Sequence, residues 1–166
     1  LSPETPVQVS KEVAELWSGE GSSMFLKAGE RLTVGELLLG VTTVSANDAS
    51  VVLALTSVGS EAEWLELMNA NAAELGMRDT HFGTPNGWPD EGRTYTSARD
   101  LAILAEALTT RYPEVYHRFV GNHGMTYNGV TQSNHDPVTG VVDGADGIKT
   151  GYTKQAGYNF LGSAER

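Results

Sequence analysis

Cysteine is missing altogether from this chain of 166 residues. Its absence excludes a disulfide framework, a thiolate metal site and a cysteine nucleophile. Basic residues are scarce as well: 11 Lys and Arg stand against 21 Asp and Glu, a net charge of −10. A nucleic-acid groove needs a basic stripe, so nucleic acid is not an expected partner. The acids are scattered rather than blocked, as on a solvated acidic surface. No apolar run approaches the roughly 18 residues of a membrane helix. Leu1 onward shows no basic stretch followed by an apolar one, the pattern of a secretory leader. Internal repeats and low-complexity tracts are absent too. What is there is ordinary: 40% of residues are hydrophobic, and adding Gly brings the apolar share to about half, as in a folded globular domain. The length fits one domain with a sizeable core.

Short elements come first. Pro3, Pro6, Gly19, Gly21 and Gly29 leave room for a brief strand at Val7–Val9 and a turn of helix near Lys11–Leu16. Three helix starts then repeat one device, a hydroxyl followed three residues later by an acid. Thr33-Val34-Gly35-Glu36 opens a helix over Leu37–Thr43, and Ser60-Glu61-Ala62-Glu63 opens one that reaches Leu75 and stops at Gly76. Ser97-Ala98-Arg99-Asp100 opens a third, ending near Thr110, with Leu101, Leu104, Ala105 and Leu108 on one face. Each reads as a capping box, in which hydroxyl and acid satisfy orphan backbone N–H groups reciprocally. Asp48–Val58 is a further apolar helical stretch. Gly83–Thr96 is a long, turn-rich loop, and such loops are uncommon without a function or a packing reason. Near the end the period becomes two. Asn128-Gly129 between Met125–Tyr127 and Val130–Gln132 signals a type I′ hairpin, and Gly147–Thr153 and Gly157–Ser163 read as paired strands. A lone strand pair is marginal, so the expectation is a segment of a larger fold.

The histidines, His81, His117, His123 and His135, include no i, i+4 helical pair of the zinc-hydrolase kind, and a polar surface role fits them better. Glu61, Glu63 and Glu66 read as the wet face of their helix, favoured near its N-terminus. Two other places carry more chemistry. Ser45-Ala46-Asn47 lies between two helices, where its side chains either cap the second helix or project into a cleft. Lys149-Thr150-Gly151 lies in a glycine-rich strand, with Lys and Thr on opposite faces. It is either a lysine-protected edge or a place where another backbone approaches closely.

Taken together, Ser-x-Asn followed far downstream by Lys-Thr-Gly resembles the penicillin-recognising serine enzymes. The surrounding text resembles one branch, the D-alanyl-D-alanine carboxypeptidases among the low-molecular-mass penicillin-binding proteins. The resemblance is carried by Met24-Phe25-Leu26-Lys27-Ala28-Gly29-Glu30, by Gly40 to Ala54, and by Thr80-His81-Phe82-Gly83-Thr84-Pro85-Asn86-Gly87. Tyr95-Thr96-Ser97-Ala98-Arg99-Asp100-Leu101-Ala102 and Lys149-Thr150-Gly151-Tyr152-Thr153 through Ala156-Gly157-Tyr158-Asn159 continue it in order. It implies an α+β, β-lactamase/transpeptidase-like fold, a helical lobe with part of an antiparallel sheet, truncated at both ends. Residues 1–166 would form part of a carboxypeptidase catalytic domain. One motif departs from the family. No lysine here has a serine three residues before it, so the nucleophilic Ser-x-x-Lys is not in this sequence.

The resemblance also implies roles. Ser45 would pass a proton to the leaving amine, Asn47 would hold the nucleophile's lysine and the substrate amide, and Lys149 would supply positive charge beside Ser45. Thr150 would bind the substrate carboxylate, Gly151 would let a substrate strand lie along the edge, and the Tyr152 N–H would serve the oxyanion hole. No cofactor or metal is implied. The implied substrate is the peptidoglycan D-Ala-D-Ala stem peptide, with β-lactam antibiotics as inhibitors of the intact enzyme. The implied location is the cell envelope, periplasmic or extracytoplasmic, with no membrane contact from this segment. A β-lactamase would need a water-activating Glu on a later loop, whereas Glu61–Glu66 lie in a capped helix. A non-catalytic binding domain of the same fold is the alternative of a different class. Missing elements would leave the apolar faces of Leu37–Val44 and Ser50–Leu55 bare, so an oligomer or companion fragment is expected to cover them.

Overall fold

The computed structural model describes residues 1–165. In chain order it runs β1 (Pro6–Gln8), α1 (Lys11–Leu16), β2 (Arg31–Thr33), α2 (Val34–Val44), α3 (Asn47–Val58) and α4 (Glu61–Leu75). It continues with α5 (Ala98–Arg111), α6 (Pro113–Phe119), β3 (Gly124–Tyr127), β4 (Val130–Ser133), β5 (Ala145–Thr153) and β6 (Gly157–Ala164). The strands form three antiparallel pairs, β1–β2, β3–β4 and β5–β6. The fold is a helical lobe with small antiparallel sheets around it.

Local chemistry sets most helix starts, with two corrections: of the three expected boxes only the first is reciprocal, and among the described residues the Glu63 carboxylate makes no return bond to the Ser60 N–H. At Thr33 the box is complete: its hydroxyl accepts the Glu36 N–H and the Glu36 carboxylate accepts the Thr33 N–H. Ser60 and Ser97 accept the N–H groups of Glu63 and Asp100. The return arm from Asp100 goes elsewhere. Its buried carboxylate accepts the Asp79 N–H at 2.8 Å and the Thr80 hydroxyl at 2.7 Å, tying α5 to the end of the α4 connection. A long-range partner has replaced the local one.

The core gathers around α2 and α3. Leu37, Val44, Ala46, Ala49, Val51 and Val52 are buried together with Val7, Val9, Met24 and Leu32 from the N-terminal segment. Every residue of Leu37–Val44 and Ser50–Leu55 is buried or half-buried within this one chain. The expected bare faces are therefore not there. The N-terminal strands, α1 and the β3–β4 hairpin lie over them, with Ala14, Trp17, Met125 and Tyr127 packed against the cluster. In α5 the stripe Leu101, Leu104, Ala105 and Leu108 is only half-buried. The first strand sits one residue earlier than expected, while Val9 exchanges main-chain bonds with Gly29 and Glu30 outside it.

Two features of the C-terminal part were expected and one was not. Asn128 and Gly129 have φ of 47° and 78°, the left-handed pair a type I′ turn requires. β5 and β6 pair with Lys149 opposite Leu161 and Gly151 opposite Asn159. Helix α6 was not foreseen. Pro113 starts it, and its buried Tyr116 and Phe119 lock it between α2 and the β5–β6 hairpin.

Candidate active site

Helix α2 ends at Ser45 in a left-handed conformation, φ 57° and ψ 36°. A non-glycine residue there costs about 1–2 kcal/mol and is held only by its surroundings. The chain then turns at Ala46, whose N–H reaches the Gly40 carbonyl at 3.1 Å. Neither Ser45 nor Asn47 caps α3: the N-cap position is Ala46, with no side-chain bond. The capping explanation for Ser-x-Asn is thereby removed, and the side chains are engaged elsewhere. Asn47 binds the Ser22 carbonyl twice, through its backbone N–H at 2.9 Å and its Nδ2 at 3.1 Å. The next residue, buried Asp48, accepts the Ser23 hydroxyl at 2.7 Å and the N–H groups of Met24 and Leu26, each at 3.1 Å. Asn47 and Asp48 together pin the Ser22–Leu26 segment against α3.

Lys149 comes from β5, 104 residues from Ser45, and donates its amine to the Ser45 hydroxyl. A second bond goes to the Thr150 carbonyl at 2.8 Å. Burial lowers the Lys149 pKa from 10.5 to about 8, because a desolvated ammonium loses hydration. Ser45, Asn47, Lys149, Thr150, Gly151 and Tyr152 all line one cleft of about 890 Å³. Lys149 and His135 are its basic side chains, and no carboxylate of the described residues lines it. In a chain of net charge −10, this cleft is a place where an anionic end group is not repelled.

The structure adds residues that sequence reasoning passed over. Asn86, Trp88, His135 and Tyr158 also line the cleft. Trp88 packs edge-on against Trp17 at 5.2 Å between ring centroids, and the Tyr152 and Tyr158 rings lie 4.5 Å apart at the rim. The signal for Asn86 and Trp88 was the length of the Gly83–Thr96 loop. Asp90 folds that loop by accepting the Thr94 N–H at 2.9 Å and hydroxyl at 2.7 Å, and the Thr94 N–H above all holds the Asp90 carboxyl below its ordinary pKa. For His135 the sequence offered no signal. Among the described residues no group of three or more His, Asp or Glu side chains could hold a metal ion, and no helix is long and apolar enough to cross a membrane.

A helical lobe whose Ser-x-Asn turn meets a Lys-Thr-Gly strand defines the penicillin-binding, transpeptidase-like class of protein. Its solved members superpose closely. The D-alanyl-D-alanine carboxypeptidase DacD from Francisella tularensis matches with a TM-score of 0.93 and 30% identity, over 100% of this chain and 52% of that one. Penicillin-Binding Protein D2 from Listeria monocytogenes, in its ampicillin-bound form, matches with a TM-score of 0.83 and 28% identity, over 100% of this chain and 66% of that one. By sequence, the chain is 37% identical to the D-alanyl-D-alanine carboxypeptidase DacD of Escherichia coli (strain K12) over 171 residues, 99% of this chain and 43% of the relative. The model of the Peptidase_S11 family, D-alanyl-D-alanine carboxypeptidase, matches residues 1–166. The chain belongs to that family, and it spans less than half the length of the E. coli relative.

Proposed function

We propose that the protein carrying this segment is a serine-type D-Ala-D-Ala carboxypeptidase acting on peptidoglycan stem peptides in the bacterial cell envelope, and that β-lactams acylate it. The observation that carries this reading is the amine of Lys149 seated, desolvated, on the Ser45 hydroxyl. A group titrating near 8 is divided between its two forms close to neutral pH, which suits proton transfer. A serine from outside these 166 residues attacks the carbonyl between the two D-alanines and forms an acyl-enzyme, and water then releases it. The nucleophile's proton passes to the lysine that accompanies it. As the C–N bond breaks, Ser45 gives its own proton to the departing amine and recovers one by way of Lys149, whose charge ends unchanged. Asn47 holds the substrate amide and the lysine that accompanies the nucleophile. The Lys149 charge and the Thr150 hydroxyl receive the terminal carboxylate. Among the described residues β5 pairs with β6 alone, so an extended substrate can add along its other side, with Gly151 leaving room. The Tyr152 N–H is one oxyanion donor, and losing such a donor costs about 2.7–4 kcal/mol.

A β-lactamase needs a base to activate water for efficient deacylation, whereas Glu61, Glu63 and Glu66 belong to α4 and, among the described residues, none lines the cleft. The test is release of D-alanine from a D-Ala-D-Ala peptide, with fluorescent-penicillin labelling, by the native gene product and its Lys149→Ala variant. Release and a long-lived label, both reduced at least a hundredfold in the variant, are expected. Rapid turnover of the penicillin would favour the β-lactamase instead. Neither label nor release would overturn the proposal in favour of a non-catalytic binding domain.

A further inference from the structure

Ser45 and Lys149 belong to different parts of the fold, and their contact is only as good as what holds those parts in register. Helix α6 lies between them. On one side, the Thr42 hydroxyl of α2 sits 2.5 Å from the Phe119 carbonyl at the end of α6, closer than the 2.9 Å to its own helical partner Leu38. Phe119 is 3% exposed and packs over Gly35, where an added Cβ would meet its ring at 3.3 Å. Gly35 and Thr42 are seven residues apart, on one face of α2, and Ser45 follows Thr42 by three residues.

On the other side, α6 grips the start of β5. The pairing of β5 with β6 slips at one place: Ala145 faces Ala164 and Gly147 faces Ser163, leaving Asp146 as the bulged residue. A bulge turns a side chain out of the alternation, and Asp146 uses that freedom. Its carboxylate accepts the Ser163 hydroxyl at 2.5 Å, while the Tyr116 hydroxyl lies 2.5 Å from the same Ser163 oxygen and 3.4 Å from the carboxylate. Tyr116 donating to Ser163, and Ser163 to Asp146, satisfies both hydroxyls. Burial, more than the nearby Asp146 charge, raises the Tyr116 pKa above 10, so its phenol keeps its proton. Gly121, just past α6, lies so near the Asp146 carbonyl that a Cβ would collide with it. Lys149 follows Asp146 by three residues. Because side chains alternate along a strand, a one-residue slip at this bulge would send Lys149 to the opposite face.

We infer that α6 is a brace for the Ser45–Lys149 contact, with Thr42 at one end and Tyr116, Ser163 and Asp146 at the other acting as positioning residues. This rests on the carboxypeptidase reading for its consequence, though not for its geometry. Loosening either end lets water reach the Lys149 amine. The titratable groups lining the same cleft are His135, Tyr152 and Tyr158. Asp146 lines a separate cavity with Tyr116 and does not face the amine.

The experiment uses the native gene product with lysine labelled at Cε, following the Lys149 titration by NMR and the rate of acylation by a penicillin. Tyr116→Phe and Thr42→Val should each move the Lys149 midpoint upward from about 8 toward 10.5 and slow acylation about tenfold, while Thr42→Ser restores both. Tyr127→Phe removes another partly buried phenol, one bonded to Glu30, and should leave both unchanged. Folded Tyr116→Phe and Thr42→Val proteins with the original midpoint and acylation within twofold would overturn the brace. So would an equal shift in Tyr127→Phe, which would mark general loosening. If Tyr116→Phe does not fold, the Thr42 pair decides. If the unaltered protein is not acylated at all, the carboxypeptidase reading fails and the titration alone judges the brace.

Discussion

At the scale of single residues, Lys149 shows what burying an ammonium costs. Its folded pKa of about 8 lies below the 10.5 of the unfolded chain. Between those values the unfolded state binds more protons, so stability contributed at this site rises with pH through the window. Below 8 the penalty is fully present, at about 3 kcal/mol from the size of the shift. Lys149→Met keeps the bulk and removes the charge. It should melt above the unaltered protein at pH 7, and the gap should narrow from pH 8 to 10.5. Thermal melts at both ends of that range check this, and a gap that is constant or reversed would show that Lys149 is not desolvated. His135 illustrates the opposite case: its place in the cleft depends on the path of the loop after β4, and nothing in its neighbouring residues announces it.

At the scale of elements, a cap that serves only its own helix differs from one recruited by tertiary structure. Ser97 accepts one N–H at the start of α5, and Ser97→Ala should cost about 1 kcal/mol. Asp100, 1% exposed, binds a backbone N–H and a hydroxyl outside its helix. Removing it breaks two bonds to a charged group, from the exposed Asp79 N–H and from the half-buried Thr80 hydroxyl, which keeps only Thr96, at about 1.5–3 kcal/mol for each. Asp100→Ala should therefore lower the urea midpoint by at least twice the shift of Ser97→Ala. Equal shifts would place the value of Asp100 in the helix start alone. The same distinction applies at Ser45 and Asn47. Their residue types suit a cap, yet the helix begins without a side-chain cap and both side chains bind elsewhere.

At the scale of the whole molecule, the chain builds a core and the candidate cleft without carrying a Ser-x-x-Lys motif. Groups that act as a unit lose nearly all catalysis when one is removed. The 166-residue chain by itself should form no covalent adduct with penicillin, and intact-mass measurement after incubation tests this directly. A β-lactam mass increment would mean that another residue here serves as the nucleophile. What the sequence by itself determined is local. Hydroxyl caps at Thr33, Ser60 and Ser97, the Asn128-Gly129 turn and the strand alternation around Lys149 all depend on groups within a few residues of one another, so they could be read in order. Only the tertiary structure decided the meeting of Ser45 with Lys149 across 104 residues, the loss of hydration that brings Lys149 to about 8, and the bulge at Asp146 held by α6. Desolvation and register across distant elements are set by which surfaces close on one another, and no stretch of neighbouring residues contains both sides of that contact.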